Sequence, residues 1–196
     1  TDADGLIQTA AADTVRVDYT QGEQLTPTKY QRVSNTDYFS SPNFAENTTL
    51  QYVTGPTGEL DAVRVTEDAT TDYHYLAMRA DVVSGTTYAI SFYIKQGSYP
   101  TARVFTQSLY MVKNTTVNFS TETASGGGIM ENVGDGWYRV TFTGTSNLTG
   151  TMIVYATVTN LNSYAGDVNN FTDYYGFQVE EGTTASSFVA NTTGSP

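Results

Sequence analysis

The chain has 196 residues, only 15% of them charged, a formal net charge of −11, no cysteine and a single histidine. Its acidic balance sets it against phosphate backbones and anionic headgroups, which are recognised by clustered Lys and Arg, so neither nucleic acid nor membrane insertion is expected. The absence of cysteine excludes disulfides and thiolate-bound metals. A chain of this length buries roughly 70% of its unfolded surface, enough for one sizeable core. No apolar run is long enough to cross a bilayer, and the first residue is Thr with no signal-like apolar region after it, so a piece of a longer polypeptide is expected.

Residues 1–27 read as a polar arm or linker in which Val15, Val17 and Tyr19 alternate as in a short strand. A β-sandwich module is expected over residues 28–190, followed by a tail or linker at 191–196. Tyr38 to Ala45 mixes aromatics with Pro42, which suits an edge or loop. Thr48–Thr54 and Leu60–Thr66 flank the turn residues Gly55-Pro56-Thr57-Gly58 and read as a hairpin. Tyr73–Val83 is a further strand, and after Gly85 the residues Tyr88, Ile90, Phe92 and Ile94 form a period-two apolar comb that should face the core.

Ala102–Gln107 and Thr116–Phe119 are shorter strands, and Ser125-Gly126-Gly127-Gly128 reads as a loop. Gly134-Asp135-Gly136 carries the residues of a tight turn, and Tyr138, Val140 and Phe142 alternate after it. Thr151–Thr159 has apolar residues on both parities, as a central strand covered on both faces would. Tyr175, Phe177 and Val179 alternate near the end. The fold expected is all-β, an antiparallel two-sheet β-sandwich (jelly roll) with little or no helix.

His74 is the only residue able to serve as the base of a nucleophilic triad, and no nucleophile-elbow motif accompanies it. Glu180 and Glu181 are neighbours on a strand and point to opposite faces, so they cannot flank one glycosidic bond. No enzyme activity is expected. Trp137, directly after a turn, is read as a framework residue at the end of the sandwich. Placing the Tyr88–Ile94 comb inward turns Tyr93 outward, and the same parity turns Arg103 and Phe105, Tyr155 and Tyr174 outward. Tyr93, Arg103, Tyr155 and Tyr174 are therefore the candidate ligand-binding residues, since aromatic faces with a few planar hydrogen-bonding groups suit an oligosaccharide. The alternative reading of the same outward aromatics is packing under a loop or against a neighbouring subunit. The acids Glu67, Asp68 and Asp72 are a possible site for a structural Ca²⁺, beside the alternative that they are simply solvated.

Four stretches together resemble a known family, the jelly-roll modules of bacteriophage tail fibres, tailspikes and related virion proteins, which share their pattern with carbohydrate-binding-module (lectin-like) domains. They are Asp4-Gly5-Leu6-Ile7-Gln8-Thr9 with Arg16-Val17-Asp18-Tyr19, then Pro56-Thr57-Gly58-Glu59-Leu60-Asp61-Ala62, Gly136-Trp137-Tyr138-Arg139-Val140, and Gly176-Phe177-Gln178-Val179-Glu180-Glu181-Gly182 with Ser186-Ser187-Phe188-Val189. Two places depart from the pattern: Ala190-Asn191-Thr192 replaces a Pro-Thr close, and residues 21–29 lack a Leu-rich strand. The resemblance implies a setting at the virion surface, outside the cell, with other virion proteins and a host cell-surface glycan as partners, and a homo-oligomer, a trimer, for the full-length protein. The function expected is a non-catalytic module contributing to host-glycan recognition. The alternatives are a structural virion spacer or decoration domain and, more distantly, a glycan depolymerase.

Overall fold

The computed structural model describes Arg32, Val33 and residues 43–189. The arm expected at 1–27 and the tail at 191–196 lie outside the described residues. Along the described chain run β1 (Phe44–Glu46), β2 (Thr48–Val53), β3 (Ala62–Glu67), β4 (Thr71–Asp72), β5 (Tyr75–Val82), β6 (Thr87–Lys95) and β7 (Thr101–Thr106). They continue with β8 (Asn114–Asn118), β9 (Thr123–Ala124), β10 (Ile129–Gly134), β11 (Trp137–Thr145), β12 (Gly150–Thr157), β13 (Tyr164–Ala165) and β14 (Phe171–Glu181). No helix occurs among the described residues.

The strands form two six-stranded antiparallel sheets. The first has the order β1-β5-β12-β7-β8-β9, the second β10-β11-β6-β14-β3-β2, and β4 and β13 pair separately. The chain crosses between the sheets repeatedly, so each sheet mixes strands distant in sequence. Their apolar faces meet in one core: Leu76, Met78, Met152, Val154, Ala156 and Val104 from the first sheet, Ile90, Phe92, Ile94, Val140, Phe142 and Val179 from the second. The comb on β6 does face inward, and Tyr88, Ile90, Phe92 and Ile94 are all fully buried. The expected β2–β3 hairpin forms with Thr48 opposite Glu67 and Val53 opposite Ala62. Asp135 and Gly136 both have positive φ, the conformation that an Asp-Gly turn supplies, and they join β10 to β11.

β12 lies between β5 and β7, central in its sheet as expected, but it is not covered on both faces: Ile153 and Tyr155 on its outer side are only half-buried. β10 has no counterpart among the expected strands. Its sequence Ile-Met-Glu-Asn-Val-Gly lacks alternation, and only Met130 packs on the core. Val33 also reaches the core, bridging to Ala80 beside β5.

The decisive irregularity is in β14. Tyr175 lies opposite Tyr93 of β6, but the next paired residue, Gln178, lies opposite Ser91. Gly176 and Phe177 therefore share the single partner position Phe92, which is a β-bulge, and Gly176 takes φ +62° there. A bulge inverts side-chain parity. Phe177 and Val179 point inward after it, Tyr174 points inward before it, and Tyr175 turns out. The outward placement expected for Tyr174 is thus incorrect: it is fully buried, stacks near Phe92 and Phe177, and donates its hydroxyl to Thr157 O of the other sheet at 2.6 Å.

Beyond β14 the chain doubles back over the outer face of the second sheet. Gln178 and Glu180, each 1% exposed, grip it. Glu180 accepts from Ser186 N at 2.9 Å and from the Ser186 hydroxyl, while Gln178 Oε1 accepts from Val189 N at 2.7 Å and Gln178 Nε2 donates to Ser187 O at 3.2 Å. The Phe188 ring closes edge-on against Tyr175.

Phe92 sits where the bulge, the comb and the inter-sheet contacts meet, stacked on Phe177 at 5.4 Å and packed edge-on against Phe142. Phe92→Ala is expected to destabilise the domain by about 3–5 kcal/mol in denaturant melts, because the cavity it leaves is walled by rings fixed on two neighbouring strands, β11 and β14.

Candidate functional site

On the first sheet, inward Leu76, Met78, Ala80 and Val82 leave Tyr75 and Arg79 of β5 facing out, and inward Ala102 and Val104 leave Arg103 and Phe105 of β7 facing out. Tyr155 of β12 stands between them, opposite both Ala77 and Phe105 in register. The result is a continuous row of half-buried side chains. Phe44 meets Tyr75 edge-on at 6.2 Å, Tyr75 meets Tyr155 edge-on at 5.0 Å, and Tyr155 stacks on Phe105 at 4.8 Å with 17° between the planes. A guanidinium covers each end: Arg79 lies 5.5 Å from the Phe44 ring centre and Arg103 4.6 Å from that of Phe105.

Beyond Phe105 the row opens into a depression of about 240 Å³ lined by Tyr73, Arg103, Phe105, Lys113, Asn114 and Asn162 among others. Tyr73 is 39% exposed there. Arg103 Nη1 donates to Asn162 Oδ1 at 2.8 Å. The Tyr155 hydroxyl makes no hydrogen bond to the described residues, whereas the Tyr75 hydroxyl donates to Glu46. Burial pushes both phenols up from the usual tyrosine range, for Tyr75 with help from its Glu46 partner, so both are neutral donors at ordinary pH. Flat apolar rings flanked by neutral hydroxyls, an amide and guanidinium groups can stack on and hydrogen-bond to a polyhydroxylated ring.

Of the four residues expected to line one surface, the structure brings together two. Arg103 and Tyr155 share the outer face of the first sheet, linked through Phe105. Tyr93 faces outward as expected but from the second sheet, on the opposite side of the sandwich, where it packs against Tyr175 at 5.5 Å with Arg139 over its ring. Tyr174 is in the core. The single-surface expectation is therefore incorrect, because parity along a strand gives facing but not the sheet to which the strand belongs. Phe44, Tyr73, Tyr75 and Asn162 were not anticipated. For Tyr75 the signal was present, since the inward run Leu76, Met78, Ala80, Val82 fixes its facing.

The second sheet carries a larger depression, about 400 Å³, between β10, β11 and residues 183–185. Threonines, Glu131 and Arg139 line it, and Arg139 Nη2 is committed to Ser186 O. It lacks a row of outward rings. Other polar groups singled out in the sequence have structural partners. His74, 2% exposed, donates from Nδ1 to Asn47 O at 2.7 Å and stacks near Tyr164. Trp137 is 1% exposed at the start of β11. Glu67, equally buried, accepts from the Tyr99 and Tyr164 hydroxyls and from Asp167 N. Asp68 accepts from Thr70 N, and Asp72 from Tyr73 N. Among the described residues no group of three or more His, Asp and Glu is placed to hold a metal ion.

No protein-family model matches the sequence, and no curated protein matches it. Among solved structures the chain is similar to a family 61 carbohydrate-binding module in complex with β-1,4-galactotriose, at 11% identity and TM-score 0.43 over 75% of this chain and 92% of that one. It is also similar to the N-terminal cellulose-binding domain of Cellulomonas fimi β-1,4-glucanase C, at 16% identity and TM-score 0.41 over 77% of this chain and 94% of that one. A family 35 carbohydrate-binding module from Clostridium thermocellum gives 16% identity and TM-score 0.38 over 79% of this chain and 98% of that one. At such identity and superposition no residue is carried across, and none of these structures bears on a virion setting.

The buried phenols dictate an alkaline response. Tyr175 is pushed up to about 12, first by burial and then by the Asp61 carboxylate, and Tyr75 and Tyr155 are raised as well. The unfolded chain then loses these protons first as pH rises, so their contribution to stability is complete below about pH 10 and declines as pH climbs through the raised values. Denaturant melts at about pH 9 and about pH 11 are expected to give clearly lower stability at the higher pH, with the drop reduced in Tyr175→Phe.

Proposed function

We propose that the domain is a non-catalytic glycan-binding module whose site is the outer face of the first sheet. One observation carries this reading: the unbroken row Phe44, Tyr75, Tyr155, Phe105, capped by Arg79 and Arg103, lies on a sheet face rather than in the core. Aromatic side chains are costly to leave in water, and a row of them bordered by hydrogen-bonding groups matches the alternating C–H faces and hydroxyl rims of an oligosaccharide. The carbohydrate-binding modules that share the fold agree with this reading. The sequence resemblance to phage tail-fibre modules supports a place on a virion surface, with a host-cell glycan as partner and trimeric assembly of the longer protein. Three sites per appendage would compensate for a shallow face, whose single-site dissociation constant is expected on the order of 0.1–1 mM.

A glycan array followed by calorimetry on the hits tests the proposal. Tyr155→Ala and Phe105→Ala are expected to abolish binding. Each loses stacking partners as well, so a stability cost of about 1–3 kcal/mol is expected, short of unfolding. Tyr93→Ala, on the opposite side, is expected to leave affinity unchanged. Loss of binding in the Tyr93 variant with retention in the Tyr155 variant would move the site to the second sheet.

A further inference from the structure

We propose that the sugar held at the Arg103 end of this face carries a carboxylate, as a uronic or sialic acid does. The proposal rests on the glycan-binding reading above and names the substrate class of that site. It begins from charge. The chain has nine Lys and Arg against twenty Asp and Glu, yet Arg79, Arg103 and Lys113 all belong to this one face or its depression. Acids are plentiful enough to pair with every cation, and two cations elsewhere are so paired: Arg32 with Glu181, and Arg64 with Asp173 through two bonds of 2.8 and 2.9 Å. On the second sheet Arg139 is instead held by Ser186 O, and Lys95 lies over Trp137. Among the described residues, none of Arg79, Arg103 and Lys113 has a carboxylate at ion-pair distance.

Arg103 carries the argument furthest. Its guanidinium lies over Phe105, one amino group is spent on a neutral amide, and its Nε is buried without a partner. Burial lowers its pKa from the ordinary arginine value, the mark of a charge without a nearby counter-charge. A partly desolvated cation with no acid beside it is less well compensated in the free protein, so a ligand that supplies the missing negative charge gains more there than a neutral one. A planar carboxylate also matches the guanidinium fork, and Lys113 and Asn114 across the depression add donors for the second oxygen or for ring hydroxyls. The larger depression on the other sheet differs from this one, because Glu131 lines it beside Arg139 and offsets the attraction of that cation for an anion.

The test is a panel of oligosaccharides bearing galacturonate, glucuronate or sialate, each beside its carboxyl-reduced counterpart and neutral galactose- and glucose-based chains, measured on the whole chain at low and at physiological salt. The expected result is binding of at least one acidic chain with about a ten- to hundredfold preference over its reduced form, weakened by salt. Arg103→Gln should remove that preference while sparing residual binding to the reduced chain, Arg103→Lys should keep part of it, and Lys95→Gln, which removes the same charge on the other sheet, should keep all of it. Which acidic chain binds separates uronate from sialate. Neutral chains binding as well as acidic ones, or a preference untouched in Arg103→Gln, would overturn the proposal and leave the glycan-binding reading standing. No binding by any chain would overturn both.

Discussion

Two residues of β14 opposing one residue of β6 determine which aromatic side chains hold the sandwich together and which meet solvent. Without the bulge at Gly176, Phe177 and Tyr174 would fall on opposite faces and the core would lose one of them. With it, Tyr174, Phe177 and Phe92 form one ring cluster, and the Tyr174 hydroxyl crosses to the first sheet. Glycine suits the position because φ is +62° and because a Cβ would come within 3.1 Å of Tyr93 and 3.2 Å of Phe188. The same extra residue turns Tyr175 outward onto Tyr93, which gives Phe188 its seat. Core packing and the covering of the second sheet therefore share one cause.

That covering divides the labour of the two outer faces. On the second sheet the chain's own segment after β14 occupies the surface, and the aromatic residues Tyr93 and Tyr175 are used internally. On the first sheet the described residues place no such strap over Tyr155 and Phe105. Two arginines show two ways of holding a cation. Arg64 is held by Asp173 and further packed at 3.6 Å over the Phe171 ring, whereas Arg103 has a ring and an amide but no acid. A paired arginine fixes a strand; an unpaired one leaves electrostatic work for something else to do.

The sandwich was legible in the sequence because its strands alternate strictly where one face is buried. Tyr88 to Ile94, Leu76 to Val82 and Ala102 to Thr106 carry period two without interruption, and the turns at Gly55–Gly58 and Asp135-Gly136 use residues that permit positive φ. β10 escaped because an exposed edge strand needs no apolar comb. For the site, Arg103 and Tyr155 were legible because β7 and β12 are regular. Tyr174 was misplaced because a bulge in a period-two run leaves no mark beyond one glycine. Tyr93 was assigned to the wrong partners because strand order in each sheet arises from long crossovers, and alternation carries no information about them.

The grip of Gln178 and Glu180 on residues 186–189 also has a mechanical meaning. Any tension entering along the chain past Val189 reaches several parallel hydrogen bonds and the Phe188 ring before it reaches β14. β14 itself lies between β6 and β3 rather than at a sheet edge. A load taken up by such bonds together, and then by a strand flanked on both sides, must shear them collectively instead of peeling them one at a time. The fold is thus arranged to resist being drawn apart from that direction.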